Sequence, residues 1–244
     1  MNISIKKNEA PNLKMPKFSV DGKLHDKLDS YDVTSLMNRS NFTAFLGRPG
    51  SGKTSLLTGF LKTPELFKRV YSKIYVFMPP GSRASMKDSF FDKYVHPSQI
   101  YDELTYDNLQ EVYEACQENA DDDDNSLIIF DDVQRQFRQN DIRKLLLSMI
   151  NNRRHARLSL WIAAQNFKSI EPQVRAGLTD MFIFKINKRE MESVFEEQVE
   201  QHKECFLEVL KHVFRMPHDF MYINTASQRI FSNFDEVCIH DDDD

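Results

Sequence analysis

Three short stretches carry residues that could do chemistry together. The octet 47-GRPGSGKT-54 ends in Lys53 and Thr54, the apolar run 126-SLIIFDD-132 ends in Asp131 and Asp132, and the apolar run 158-LSLWIAAQ-165 ends in Gln165. A lysine, a hydroxyl, two adjacent carboxylates and an amide suit the handling of a phosphate chain and its attack by water. The octet fits G-x-x-x-x-G-K-[ST], and three of the 7 glycines in the chain fall inside it. Backbone amides wrap phosphate only where the chain comes close and takes angles that a side chain forbids, which is what glycine permits. Gly47, Arg48, Pro49, Gly50, Ser51, Gly52, Lys53, Thr54 and Ser55 are therefore the candidate nucleotide-binding residues. Lys53 would reach the β- and γ-phosphates and Thr54 would hold Mg²⁺. Asp131 would hold the metal through water, and Asp132 would orient or polarise the attacking water. Gln165 would contact the γ-phosphate or that water. A second acid beside the metal ligand points to hydrolysis rather than transfer to a bound acceptor. The expected ligands are a nucleoside triphosphate and Mg²⁺.

These residues need a scaffold that delivers them to one place. Residues 42-FTAFL-46 read as a buried strand before the octet, and 53-KTSLLTGFLK-62 as a helix after it, with Leu56, Leu57, Phe60 and Leu61 on one face. Further strands are expected over 74–78, 126–132, 158–166 and 181–186. Helices are expected over 106–119, around 141–152 and, as one long amphipathic element, over 190–214, with a hairpin over 219–234. Strands alternating with helices predict an α/β fold of the P-loop NTPase kind. It would have a mostly parallel central sheet, helices on both faces and a C-terminal β-hairpin. In such sheets ligands bind at the carboxyl ends of the strands, where the motif residues lie. Residues 1–40 are polar and read as an irregular arm, and 41–244 as a single ATPase domain with a disordered acidic tail over 241–244.

Composition narrows the rest. The chain is 41% hydrophobic and 28% charged, an ordinary soluble balance, and its longest apolar run, 160-LWIAA-164, is too short to span a bilayer. The three cysteines show no metal-ligand or redox spacing. Net charge is −5, but eight aspartates sit in two tracts, Asp121 to Asp124 and Asp241 to Asp244, and without them the balance is +3. Charge therefore neither supports nor excludes a nucleic-acid partner. The run 187-NKRE-190 imitates the guanine-reading N-K-x-D, but its fourth residue is Glu190 and no glycine follows Asp131 at the third position. That argues against a GTPase.

The run 151-NNRRHARLSL-160 places Arg153, Arg154 and Arg157 before the glutamine strand. They can complement a helix dipole, or one can enter a neighbouring subunit's site and stabilise charge on the transferring phosphoryl. Here the sequence resembles a known family. The stretch 153-RRHARLSLWIAAQNFKSIEPQVRAGLTDMFIFKI-186 is similar to the segment of FtsK–HerA-type motor ATPases in which an arginine stands about eleven residues before a strand-ending glutamine, a count that lands on Arg154. The closer resemblance is to the poxvirus-like genome-packaging ATPases of large DNA viruses and virophages. It rests on Asp131-Asp132, Arg154-His155, the strand ending in Gln165, 74-IYVFMPP-80 and 220-FMYINTASQRIFSNFDEV-237. Two departures stand out: many superfamily members carry Asp-Glu where this chain has Asp131-Asp132, and Arg175 sits one position short of the basic residue that follows the glutamine.

The resemblance implies an ATP-driven pump for double-stranded DNA. It would be a homo-oligomeric ring, pentamer or hexamer, that threads a genome into a preformed capsid against capsid or portal-vertex proteins. Its place would be the host cytoplasm (a viral factory) or the virion. Catalytic candidates are then Lys53, Asp132, Gln165, Arg154 and Arg153, with Arg157 and Arg175 as further arginines that could act in trans, and Thr54 and Asp131 as metal ligands. Arg175 could instead contact DNA or the nucleotide. Arg83, Lys87 and Lys168 are candidate contacts to DNA phosphates. The alternatives are a helicase-like or conjugation-type DNA motor, a slow nucleotide-dependent scaffold or switch, and a small-molecule kinase. The kinase reading lacks a paired-arginine lid segment, and the scaffold reading predicts no stimulation of turnover by DNA.

Overall fold

The structure is a computed structural model that describes residues 2–6, 37–38, 40–64, 66–84, 90–199 and 205–240. In chain order, β1 is Asn2–Lys6, β2 Phe42–Leu46, α1 Lys53–Lys62, β3 Lys73–Phe77, α2 Pro80–Ala84, α3 Phe90–Tyr94, β4 Ile100–Tyr101 and α4 Tyr106–Asp121. There follow β5 Ser126–Asp131, α5 Asn140–Asn152, β6 Leu158–Ala164, α6 Pro172–Arg175, β7 Asp180–Phe184, α7 Lys188–Gln198, α8 Phe206–Val213, β8 Phe220–Asn224, β9 Arg229–Ser232 and β10 Asp235–His240.

The central strands are apolar along their whole length because both of their faces are covered. Alternate residues go to opposite sides. Phe42, Ala44 and Leu46 of β2 face one core with Ile128 and Phe130 of β5, and Leu160 and Ile162 of β6. Phe45, Leu127, Ile129 and Trp161 face the other. The first core is closed by α4, α5, α7 and α8, through residues such as Leu109, Leu146, Val194 and Val209. The second is closed by α1 through Leu56, Leu57, Phe60 and Leu61. Phe60 anchors α1 to the sheet, with its ring 5.1 Å from Phe182 and 6.0 Å from Phe45.

All described strands join one sheet in the order β1-β10-β9-β8-β7-β2-β6-β5-β3-β4. The six from β7 to β4 run parallel, and β8, β9, β10 and β1 add to the β7 edge in antiparallel fashion. The mostly parallel sheet with helices on both faces is the one read from the sequence, and the hairpin is present as β8 and β9.

Three expectations change. The hairpin gains a third strand, β10, and the N-terminal arm is not irregular throughout, since Asn2 to Lys6 pair with His240 to Glu236. The helix expected over 190–214 is two helices. α7 ends at Val199, whose φ of −137° and ψ of 56° leave the helical region, and α8 starts again at Phe206. Asp121 to Asp124 are all exposed. Asp121 ends α4, and Asp123 pairs with Arg157. The tail 241–244 lies outside the described residues.

Candidate functional site

The site forms because three neighbouring strands end at one level. β6 lies between β2 and β5, with Leu46 opposite Ala164 and Asp131 opposite Ala163. The next residue of each strand is therefore at the same sheet edge. The Gly47 amide donates to the Ala164 carbonyl at 3.1 Å, and the Asp132 amide to the Ala163 carbonyl at 3.2 Å. Gln165 sits between them, its Nε2 donating to Asp132 Oδ2 at 3.4 Å. The structure thus brings together Gly47, Asp131, Asp132 and Gln165.

The glycine-rich loop then turns back into α1. Gly50 and Gly52 have φ of 74° and 110°, a left-handed backbone that side chains disfavour. Gly47 is needed for a different reason: a Cβ there would lie 2.5 Å from Ser51 Oγ and 2.8 Å from Phe184 Cβ. Lys53 Nζ spans the loop and donates to the Gly47 carbonyl at 2.6 Å and the Arg48 carbonyl at 3.0 Å. The loop's groups fit a bound triphosphate. Among the described residues the amides of Gly52, Lys53 and Thr54 have no protein acceptor, and Ser51 Oγ is buried without a partner. These are donors at a helix N-terminus, where anions are favoured. Thr54 and Ser55 are half-buried in the first turn of α1. Among the described residues no cluster of three or more His, Cys, Asp or Glu side chains could hold a metal. Mg²⁺ held by a hydroxyl, one carboxylate and substrate phosphates needs none.

The charges in this corner are coupled. Burial lowers the pKa of Lys53, against the opposing pull of Asp131 and Asp132. Burial raises that of Asp131 to about 6, the neighbouring Asp132 adds to the rise, and Lys53 opposes it. Asp132 is exposed and has φ of 59°, left-handed geometry that Asp tolerates better than most residues. The raised pKa of Asp131 has a consequence for stability. Between about 3.8 and about 6 the folded chain holds a proton that the unfolded chain has released, so folding is favoured at low pH and weakened as pH rises through 6. In metal-free protein at pH 7.5, Asp131→Asn is expected to raise stability by on the order of 1–3 kcal/mol, read as an increase in Tm, and to leave Tm nearly unchanged at pH 4.

The arginines separate cleanly. Arg153 is half-buried and spent on the Ser40 and Ile150 carbonyls at 3.0 and 2.7 Å, closing the end of α5. Arg157, with φ of 44°, is held by Asp123. Arg154 is exposed and its guanidinium has no partner among the described residues. All three precede β6, at the edge opposite the glycine loop, and seven strand residues at ~3.3 Å each put roughly 23 Å between them and Gln165. Arg175 is only 7% exposed. It donates to Glu197 at 2.9 and 2.8 Å and to the Ile170 carbonyl at 2.9 Å, over the Phe167 ring. A guanidinium so placed packs α6 against α7 and corrects the expectation that it contacts DNA or nucleotide.

Of the other cations, Arg83 is paired with Asp92 at 2.7 Å, Lys168 is exposed beyond Gln165, and Lys87 lies outside the described residues. The run 187-NKRE-190 is a helix start. Asn187 Oδ1 accepts the Glu190 amide at 2.9 Å, and Glu190 accepts the Lys168 amide at 3.0 Å. Sequence reading missed two neighbours of the loop. Phe184 packs against Gly47 and Gly52, and His218 Nδ1 lies 3.0 Å from the Ser51 carbonyl. Phe184 was visible only as a strand residue, and His218 carried no signal.

The fold and the site define a P-loop ATPase in which the strand carrying the polar amide separates the glycine-loop strand from the acidic one. The family described as poxvirus A32 protein matches residues 29–244, and the chain belongs to it. No curated protein matches the chain by sequence. Among solved structures, the genome packaging NTPase B204 of Sulfolobus turreted icosahedral virus 2, in complex with AMP, is 18% identical with a TM-score of 0.59, over 84% of this chain and 100% of that one. The same protein in complex with ATP-gammaS is 18% identical at TM-score 0.59, over 80% and 97%. B204 of Sulfolobus turreted icosahedral virus, described as a DNA-packaging ATPase, is 19% identical at TM-score 0.59, over 84% and 100%. At these identities the likeness is one of fold. No helix among the described residues is long and apolar enough to cross a membrane.

Proposed function

We propose that this chain is one subunit of a homo-oligomeric ring, pentameric or hexameric, that hydrolyses Mg-ATP to drive double-stranded viral DNA into a preformed capsid. One observation carries the reading. Lys53, Asp131, Asp132 and Gln165 converge at one edge of the sheet, while Arg154, unpaired among the described residues, projects from the other. An arginine roughly 23 Å of strand away cannot serve its own subunit's site, but it can serve a neighbour's. The packaging role is supported by membership of the poxvirus A32 family and by the packaging function named for the B204 proteins.

When bound, Mg-ATP supplies the transferable phosphoryl group together with a cation that offsets its charge. The chain's own residues do the rest. The amides of Gly52, Lys53 and Thr54 hold the phosphate chain, and Lys53 exchanges its contacts with the Gly47 and Arg48 carbonyls for phosphate oxygens. Thr54 and Asp131 would hold the metal. Asp132 orients the attacking water and accepts its proton, and Gln165, bonded to Asp132, reports whether the γ-phosphate is present. Arg154 of one subunit enters the next subunit's site. Lys168, on the loop beyond Gln165, is available to touch DNA phosphate without reading sequence.

The test is ATPase rate with and without duplex DNA. Turnover is expected to rise several-fold with duplex of any sequence and to lose that rise as salt increases, because phosphate contacts release counterions. Equal rates with and without DNA would favour a nucleotide-dependent switch instead.

A further inference from the structure

The turn before β8 touches the phosphate-binding loop directly. Phe184 pairs with Phe220, so the residues just ahead of Phe220 lie at the same sheet edge as the loop that follows β2. His218 occupies this turn with φ of 68° and brings Nδ1 to 3.0 Å from the Ser51 carbonyl. A Cβ on Gly52 would lie 3.7 Å from the same nitrogen. The turn is itself held firmly. One oxygen of Asp219 accepts the Arg215 and Met216 amides at 3.0 and 2.7 Å, and the other accepts Asn233 Nδ2 at 3.3 Å. Asn233 in turn accepts the Phe220 amide at 3.1 Å. His218 is thus fixed to the C-terminal β-meander and aimed at the nucleotide loop.

We propose that His218 is a positioning residue of the nucleotide site, which donates its Nδ1 proton to the Ser51 carbonyl and so sets the direction of the Gly52 amide. A carbonyl oxygen only accepts, so the proton of this bond is on Nδ1. The Ser51 carbonyl and the Gly52 N–H belong to one planar trans peptide and point in opposite directions. Holding the carbonyl on His218 therefore fixes the N–H away from it. Gly52 most needs such a brace: its φ of 110° is reached by glycine alone with ease, and glycine is also the residue freest to leave it. The Gly52 amide is one of those with no protein acceptor among the described residues. The bond also ties the loop to the meander built from β8, β9 and β10, which the sequence motif does not include.

The proposal rests on nucleotide binding at the glycine loop. The test uses two variants that both tolerate the left-handed backbone at position 218. H218G removes the side chain without strain, and H218N places an amide N–H where Nδ1 stood. With the full chain, the Kd for a non-hydrolysed ATP analogue and the KM and kcat for ATP are measured alongside Tm. H218G is expected to weaken Kd and raise KM about 5- to 10-fold, the loss of one oriented donor, with kcat within about twofold. H218N is expected to recover most of that affinity. H218G binding as tightly as wild type, or H218N failing to recover, would overturn the proposal and leave the ATPase reading intact. Wild-type protein that binds no ATP analogue would overturn both.

Discussion

Lys53→Ala is expected to lower ATP turnover about 10³-fold, and the reason lies in where the ammonium sits. Lys53 is the cation that the fold places beside both Asp131 and Asp132, and its pKa is lowered chiefly by burial. A charge held in such a place costs desolvation before substrate arrives. It is therefore preorganised to stabilise charge that develops on phosphate oxygens, and removing one preorganised donor of this kind costs about 10²–10³ in rate. The variant should still fold, since Lys53 contributes no apolar contact to either core and its hydrogen bonds go to the loop it closes. An unchanged Tm with lost turnover, in a steady-state phosphate-release assay, is the expected pair. Turnover within tenfold of wild type would remove Lys53 from the chemistry.

Arg154→Ala is expected to cost about 10³-fold or more, the scale of an arginine that stabilises a phosphoryl-transfer transition state. The more decisive result comes from mixing. Asp132→Asn alone is also expected to be inactive, because the acid that orients water is gone. In co-assemblies of the two variants, some interfaces bring the intact Arg154 of a D132N subunit to the intact Asp132 of an R154A subunit. Activity should reappear in those mixtures in proportion to such interfaces. An absence of recovery with co-assembly demonstrated by cross-linking would sink the trans assignment. Arg153 and Arg157 make the contrast: one is consumed by the Ser40 and Ile150 carbonyls and the other by Asp123, so both shape the turn that displays Arg154.

Much of the scaffold was legible because its signals are local. β2, β5 and β6 are buried runs bounded by polar or glycine residues, and α1, α4 and α5 carry apolar residues at helical spacing. The elements that were misread or missed lack such signals. β4 is two residues long and is held by Val76 and Phe77 of β3. β1, NISIK, alternates Ile3 and Ile5 with polar residues, but over only five positions far along the chain from the rest of the sheet, and its place is set by pairing with β10. The end of α7 is set by the non-helical backbone of Val199, inside an apolar pattern that looks continuous.

The sequence by itself determined the inventory of chemistry: a glycine loop with Lys53 and Thr54, paired acids at the end of an apolar strand, Gln165, and an arginine cluster whose Arg154 stands eleven positions before it. Motif spacing reports these because each depends on residues adjacent in the chain. Only the tertiary structure decided which groups are free to act. Burial, set by contacts between distant segments, turned Arg175 into a brace on Glu197 and raised the pKa of Asp131 to about 6. Strand order put Gln165 between the loop and the acids, and placed Arg154 at the far edge. It also carried His218, 167 residues from Ser51 in the chain, onto the Ser51 carbonyl. A contact over that distance leaves no trace in local periodicity, because it is created by the pairing of β7 with β8.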